Sequence, residues 1–226
     1  MSDNTNSHSR GFTIVELVIA VVVAGILVAT LLTVTFSFYG NSIRNSTQSR
    51  LAVESQNILR TIVEELRVSS GVRGSNTITD PNGPGGGWTT SNASLVLIIS
   101  TPVMDSSNQF VINSSTGDPY QNEIVYYANN KTLYKRYLAN VSAPGNQFKT
   151  SCPIALATAA CPADVVLSRR FKTMTFVFYD QDDAITTTLA NARSVKMTID
   201  MIQNAFGQTI EFTNNIRMTM RNSLQE

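Results

Sequence analysis

The chain has little of what enzymes and metal proteins use most. Its 226 residues include one histidine, two cysteines and one tryptophan. One histidine and two cysteines are too few for a structural zinc site. The glycine-rich run Asp80-Pro81-Asn82-Gly83-Pro84-Gly85-Gly86-Gly87 lacks the Lys-Ser/Thr that closes a phosphate-binding loop, so it reads as a surface turn. An excess of one sign of charge is missing too. Seventeen Lys and Arg face sixteen Asp and Glu, a net charge of +1. Composition therefore supplies no strong field for capturing nucleic acid or acidic substrates. No cofactor, metal or enzymatic activity is expected, and nucleic acid is not an expected partner.

Charge is scarcest near the start. Between Arg10 and Arg44 the only charged residue is Glu16, inside a run that begins Phe12-Thr13-Ile14-Val15-Glu16-Leu17 and continues apolar through Leu32. More than 18 nearly charge-free residues read as a bilayer-spanning helix. A carboxylate at its first turn has two readings. An intramembrane Glu is by default a functional residue, because a buried charge is costly in lipid. A Glu at the interface only complements the helix dipole.

The residues before the helix separate the two. Secretory signals are cut after their apolar region, whereas here a short polar leader ends in Arg10-Gly11 and meets the apolar run directly. Gly11-Phe12-Thr13-Ile14-Val15-Glu16-Leu17 closely resembles the class III signal of type IV pilins and type II secretion pseudopilins. The resemblance implies that prepilin peptidase cuts after Gly11 and methylates the new amino-terminal Phe12. It implies that Glu16 is the assembly carboxylate, neutralising the amino terminus of a neighbouring subunit in a filament. His8 would leave with the leader, so no histidine-based nucleophile pair would remain. Family members often carry a proline partway through the apolar half. This chain has none there, and Gly25, Thr30 and Thr33 are its only weak points.

Topology follows from that processing rather than from charge. Arg10 on one flank against Arg44 and Arg50 on the other counts the wrong way for the positive-inside rule. A membrane peptidase acting on the leader requires the N-terminus inside. The chain is then a single-pass inner-membrane protein with its C-terminal part outside the cytoplasm, later at the filament or cell surface. Cys152 and Cys161 agree, since an even pair closing a small loop favours a disulfide outside the cytoplasm, stabilising by about 2–3 kcal/mol.

Beyond the apolar run Leu51, Ile58, Leu59, Ile62, Val63 and Leu66 form a 3.6-period stripe. Ser55, Gln56, Arg60, Glu64, Glu65 and Arg67 lie opposite. Ser69-Ser70-Gly71 is a helix stop with Gly71 suited to the left-handed position after the cap. One helix from Phe12 to Val68 would be about 85 Å long. The expected organisation is a leader at 1–11, a transmembrane and assembly helix at 12–39, its amphipathic continuation at 40–70, and an extracytoplasmic domain at 71–226.

That domain changes period to two. Leu95–Ile99 reads as a short strand, Glu123–Ala128 and Thr132–Leu138 as a hairpin turning at Asn129-Asn130-Lys131, and Phe171–Tyr179 as a strand facing Met174, Phe176 and Phe178 one way. Val195, Met197, Ile199 and Met201 alternate, as do Ile216, Met218 and Met220, joined through Ala205-Phe206-Gly207. The predicted class is α+β, one long helix packed on an antiparallel sheet. Trp88 is expected to cap the sheet. Asp180, Asp182 and Asp183 are weak calcium candidates, outweighed by the ordinary use of Asp in turns. Lys135-Arg136 and Arg169-Arg170-Lys172 suggest a DNA contact, but neighbouring strand residues face opposite ways and split these charges.

Ile216-Arg217-Met218-Thr219-Met220-Arg221-Asn222 is similar to the closing strand of larger minor pilins and pseudopilins of the W and J types. Tyr126-Tyr127, Leu133-Tyr134-Lys135-Arg136 and Phe176-Val177-Phe178-Tyr179-Asp180 also look like that subgroup. The implied role is structural: a minor subunit that joins, primes or caps a filament. Its partners would be prepilin peptidase, the major and other minor subunits, an inner-membrane assembly platform and membrane lipid. Alternatives are a DNA-uptake or adhesion subunit, and a membrane-anchored extracytoplasmic enzyme.

Overall fold

The computed structural model describes residues 13–220. A single helix, α1, runs Ile14–Val68 without a break. The chain divides into two compact units, Met1–Ser46 and Thr47–Glu226. Within the first, every described residue of α1 but the half-buried Gly40 is exposed. Thr30 and Thr33, two of the expected weak points, donate their hydroxyls to the carbonyls of Leu27 and Ala29 at 2.8 and 2.9 Å.

In the second unit α1 meets two antiparallel sheets, where the sequence reading expects one. The first has the order β1-β2-β3-β4-β5, with β1 Gly71–Arg73, β2 Val96–Pro102, β3 Gln121–Asn129, β4 Thr132–Leu138 and β5 Val165–Ser168. The second has the order β7-β6-β8-β9, with β6 Phe171–Tyr179, β7 Ile185–Thr186, β8 Ser194–Ala205 and β9 Gln208–Thr219. The hairpins β3–β4 and β8–β9 turn tightly at Asn130-Lys131 and Phe206-Gly207, all four residues with positive φ. That is the backbone a two-residue hairpin turn requires.

The helix stripe falls where its period puts it. Leu51, Ile62 and Leu66 are fully buried, with Ile58 and Leu59 at 3%. They pack on Leu97, Ile99, Ile124, Tyr126 and Leu133 of the first sheet, and on Met174, Phe176, Val195, Met197, Ile199 and Met201 of the second. The second sheet leaves its other face to solvent, and its strands alternate accordingly. The first sheet is covered twice. Trp88, Val96, Ile98, Val125 and Leu138 form a second cluster on its far face. Hence Val96–Ile99 is apolar without alternation.

Three local readings need correction. Gly71 has the positive φ expected of it, 137°, but two residues past Ser69 and opening β1 rather than directly after the cap; Ser69 closes α1 by donating its hydroxyl to the Leu66 carbonyl at 2.8 Å. Ser55 is buried on the core side, accepting from the Asn214 side chain at 3.1 Å. Glu65 is also half-buried, holding the Lys135 ammonium at 2.8 Å and the Tyr126 hydroxyl.

Candidate functional site

The site is the first turn of α1 together with the apolar surface that follows. Thr13 stands just outside the helix and Glu16 three residues in. The Thr13 backbone N–H and hydroxyl each donate to Glu16 Oε2 at 2.9 Å, and the Glu16 N–H returns a bond to Thr13 Oγ1 at 3.2 Å. This reciprocal arrangement is a capping box, which satisfies otherwise orphaned donors at the helix start. In the single chain the Glu16 carboxylate therefore already has partners. It stays fully exposed, in the first turn of α1. Gly11 and Phe12, the expected cleavage and methylation residues, lie outside the described residues, as do Arg221 and Asn222.

Behind Glu16 the large side chains from Ile14 to Phe38 are 49–82% exposed. This segment of α1 is long and apolar enough to cross a membrane. A surface of that kind needs lipid or another apolar helix against it.

The remaining sequence candidates fall in the second unit. Cys152 and Cys161 are joined in a disulfide, with Cα atoms 5.6 Å apart. Asp180 uses Oδ1 to accept from the N–H groups of Asp182 and Ala184, while Asp183 pairs with Arg217. These carboxylates thus serve a turn and an ion pair. Trp88 caps the first sheet as expected. Its ring lies 4.7 Å from that of Tyr127, and its Nε1 donates to Asp80 at 2.7 Å.

Sequence reasoning missed the most heavily buried polar cluster among the described residues. Arg136 is 1% exposed and bridges two carboxylates, Asp80 at 2.8 Å and Asp164 at 2.6 Å. Asp164 also accepts from the hydroxyls of Ser151 and Tyr127 at 2.7 Å each. Arg136 adds a bond to the Asn82 carbonyl at 3.0 Å and lies over the rings of Trp88 and Tyr127. The cluster clamps the glycine-rich loop and the disulfide-bearing segment onto β4. Lys135 and Arg136 are thereby committed to internal pairs, which removes them from the DNA contact considered above. The available signal was the Tyr134-Lys135-Arg136-Tyr137 run itself, which places charge on both faces of a strand.

Residues 6–32 match a family described as the prokaryotic N-terminal methylation motif. The matched stretch holds Gly11, Phe12, Thr13 and Glu16 and the start of α1. It supports the type IV pilin and pseudopilin class, a single-pass membrane anchor, and processing by prepilin peptidase. No curated protein matches the chain.

Proposed function

We propose that this chain is a minor pilin or pseudopilin of the larger W or J kind. Prepilin peptidase cuts it after Gly11 and methylates Phe12. Its β-sheet domain then lies outside the cytoplasm, and it joins, primes or caps a type IV pilus-like or type II secretion filament. Its partners are the major subunit, other minor subunits and an inner-membrane assembly platform. The role is structural, and the force for assembly comes from elsewhere in the machine.

The observation that carries this reading is the uncovered apolar surface of α1 from Ile14 to Phe38, with Glu16 at its start. Lipid covers that surface in the free subunit, and the apolar helices of neighbours cover it in a filament. The methylation motif supports the processing step. The disulfide supports an oxidising compartment for the domain. The likeness of the Ile216–Met220 strand and the Tyr126-Tyr127 pair to the W and J types supports the minor role. Mass spectrometry of membrane-extracted protein is expected to find a chain starting at N-methylated Phe12. The same material is expected to co-purify with a major subunit. Assembled material that retains Met1 would overturn the reading.

A further inference from the structure

Two turns lie together at the end of the β-sheet domain where α1 enters, and a third extends past them. Phe171 N–H donates to the Lys131 carbonyl at 3.0 Å, which seats the β5–β6 turn beside the β3–β4 turn. Ile202 N–H donates to the Arg170 carbonyl at 2.8 Å, which ties β8 to the same place. Arg170 in turn pairs with Glu54 of α1 at 2.9 Å. The β8–β9 turn reaches further. Met220 lies beside Gly71 and Val72, and Asn214 bonds Ser55, so β9 traced backward descends along α1 toward Thr47. From Ile202 to Phe206 the strand drops about 13 Å more, while Glu54 to Thr47 is about 10 Å of helix. The tip and the entry point of α1 therefore lie at about the same level of this unit.

The chemistry of that end is one-sided. Arg50, Lys131 and Arg169 are exposed, and among the described residues none has a carboxylate within salt-bridge distance. Of the acids nearby, Glu54 is used by Arg170 at 2.9 Å and Glu211 by Lys172 at 2.6 Å, while the half-buried Asp200 accepts only from the Thr213 hydroxyl at 2.6 Å, leaving the three cations against one uncompensated carboxylate. The tip itself, Gln203 to Thr209, carries no charge. It holds up Phe206, 61% exposed and at φ 51°, a left-handed position that bulky residues rarely take. An exposed aromatic held at some backbone cost at the tip, with three cations set back from it on the neighbouring turns and α1, fits an interface with apolar and anionic layers.

We infer that this end of the domain seats on the anionic headgroup surface of the membrane, with Arg50, Lys131 and Arg169 on lipid phosphates and Phe206 at the acyl boundary. The inference rests on the reading of α1 as a membrane anchor. It adds a second, peripheral contact that holds the free subunit's domain against the bilayer before assembly. Duplex DNA offers phosphates too, but a Phe enters it only by unstacking a base step at an energetic cost, whereas the acyl boundary takes an aromatic ring without one.

The test is hydrogen–deuterium exchange of the full chain in nanodiscs, phosphatidylcholine alone against a phosphatidylglycerol mixture. Amides of residues 130–132, 168–172 and 204–209 are expected to slow at least about fivefold in the anionic discs, the effect of roughly one headgroup-bound cation. High salt should remove the difference. Arg50→Gln/Lys131→Gln/Arg169→Gln should abolish it, Phe206→Ser should weaken it, and Lys131→Arg with Arg169→Lys should keep it. Unchanged disulfide oxidation and melting would show that these variants fold. Equal exchange in both discs, or protection by added duplex DNA but not by anionic lipid, would overturn the inference while leaving the anchor intact. If residues 14–39 are unprotected in both discs, the anchor reading fails and takes this one with it.

Discussion

Arg136 shows how one residue fixes two loops. A guanidinium presents several donors in a rigid fork, which suits two carboxylates and a carbonyl at once. Removing it leaves Asp80 and Asp164 buried without a counter-charge. Arg136→Leu is therefore expected to cost about 3–5 kcal/mol, read by chemical denaturation of the detergent-solubilised full chain. Arg136→Lys should fall between, since an ammonium cannot span both acids. A loss under about 1 kcal/mol would mean that the cluster behaves like a solvated surface pair. The neighbouring tyrosines add a pH dependence. Burial first, then the Glu65 carboxylate, holds the Tyr126 hydroxyl well above its usual 10.0. Burial and the bond to Asp164 raise Tyr127 likewise. Burial alone would lower Lys135, but its bonds to Glu65 and Tyr137 outweigh that and the net direction is upward from 10.5. All three keep their protons in the folded chain at pH values where the unfolded chain sheds them. Stability is thus whole below about pH 10 and falls above it. Melting is expected at least about 5 °C lower at pH 10.5 than at pH 8, and Tyr127→Phe should flatten the slope. A flat profile would count against these assignments.

At the scale of elements, the disulfide and the clamp act on the same segment. Cys152 and Cys161 close a short loop, and Asp164 just beyond it meets Arg136. Alkylation of native protein without reductant should leave both cysteines unmodified. Cys152→Ser with Cys161→Ser should lower the domain's stability by about 2–3 kcal/mol and leave membrane extraction unchanged, because α1 does not depend on the loop for insertion. Quantitative alkylation would show free thiols instead. What the sequence made legible follows the same physics. Val195, Met197, Ile199 and Met201 alternate because the second sheet has one wet face, so period alone assigns them. Helix stripe residues such as Leu59 and Ile62 were legible for the same reason. Ser55 stands on the same stripe, four residues from Leu51 and from Leu59, but a hydroxyl there reads as solvent-facing until its partner Asn214 is known, 159 residues later. Arg136 was not legible either, because its partners stand 56 and 28 residues away. The two-residue β7 and three-residue β1 are too short to carry a period. Two sheets replaced one because no local pattern tells a strand which neighbour it will pair with. Glu16 was visible because its whole signal is local, a carboxylate in an otherwise charge-free run.

At the scale of the whole molecule, the proposed assembly role of Glu16 is set against the local role the structure shows. The capping box with Thr13 gives the carboxylate a local role that any helix would welcome. In a filament, the positive amino terminus of Phe12 on an adjacent subunit would compete for it. Pairing two charges away from water makes each tolerable, and losing one leaves the other uncompensated. The two roles predict different mutants. Glu16→Val should insert in the membrane at least as well as the parent yet fail to join or initiate filaments. Glu16→Asp should be partly defective, since its shorter side chain reaches less far. Thr13→Val breaks the capping box but keeps the carboxylate. If capping were the function, Thr13→Val would fail as Glu16→Val does; if assembly is, it should still assemble. Carbonate extraction measures insertion, and co-purification with the major subunit together with filament counts measures assembly. Parent-like assembly by Glu16→Val would reduce the carboxylate to a cap and remove the main support for polymerisation.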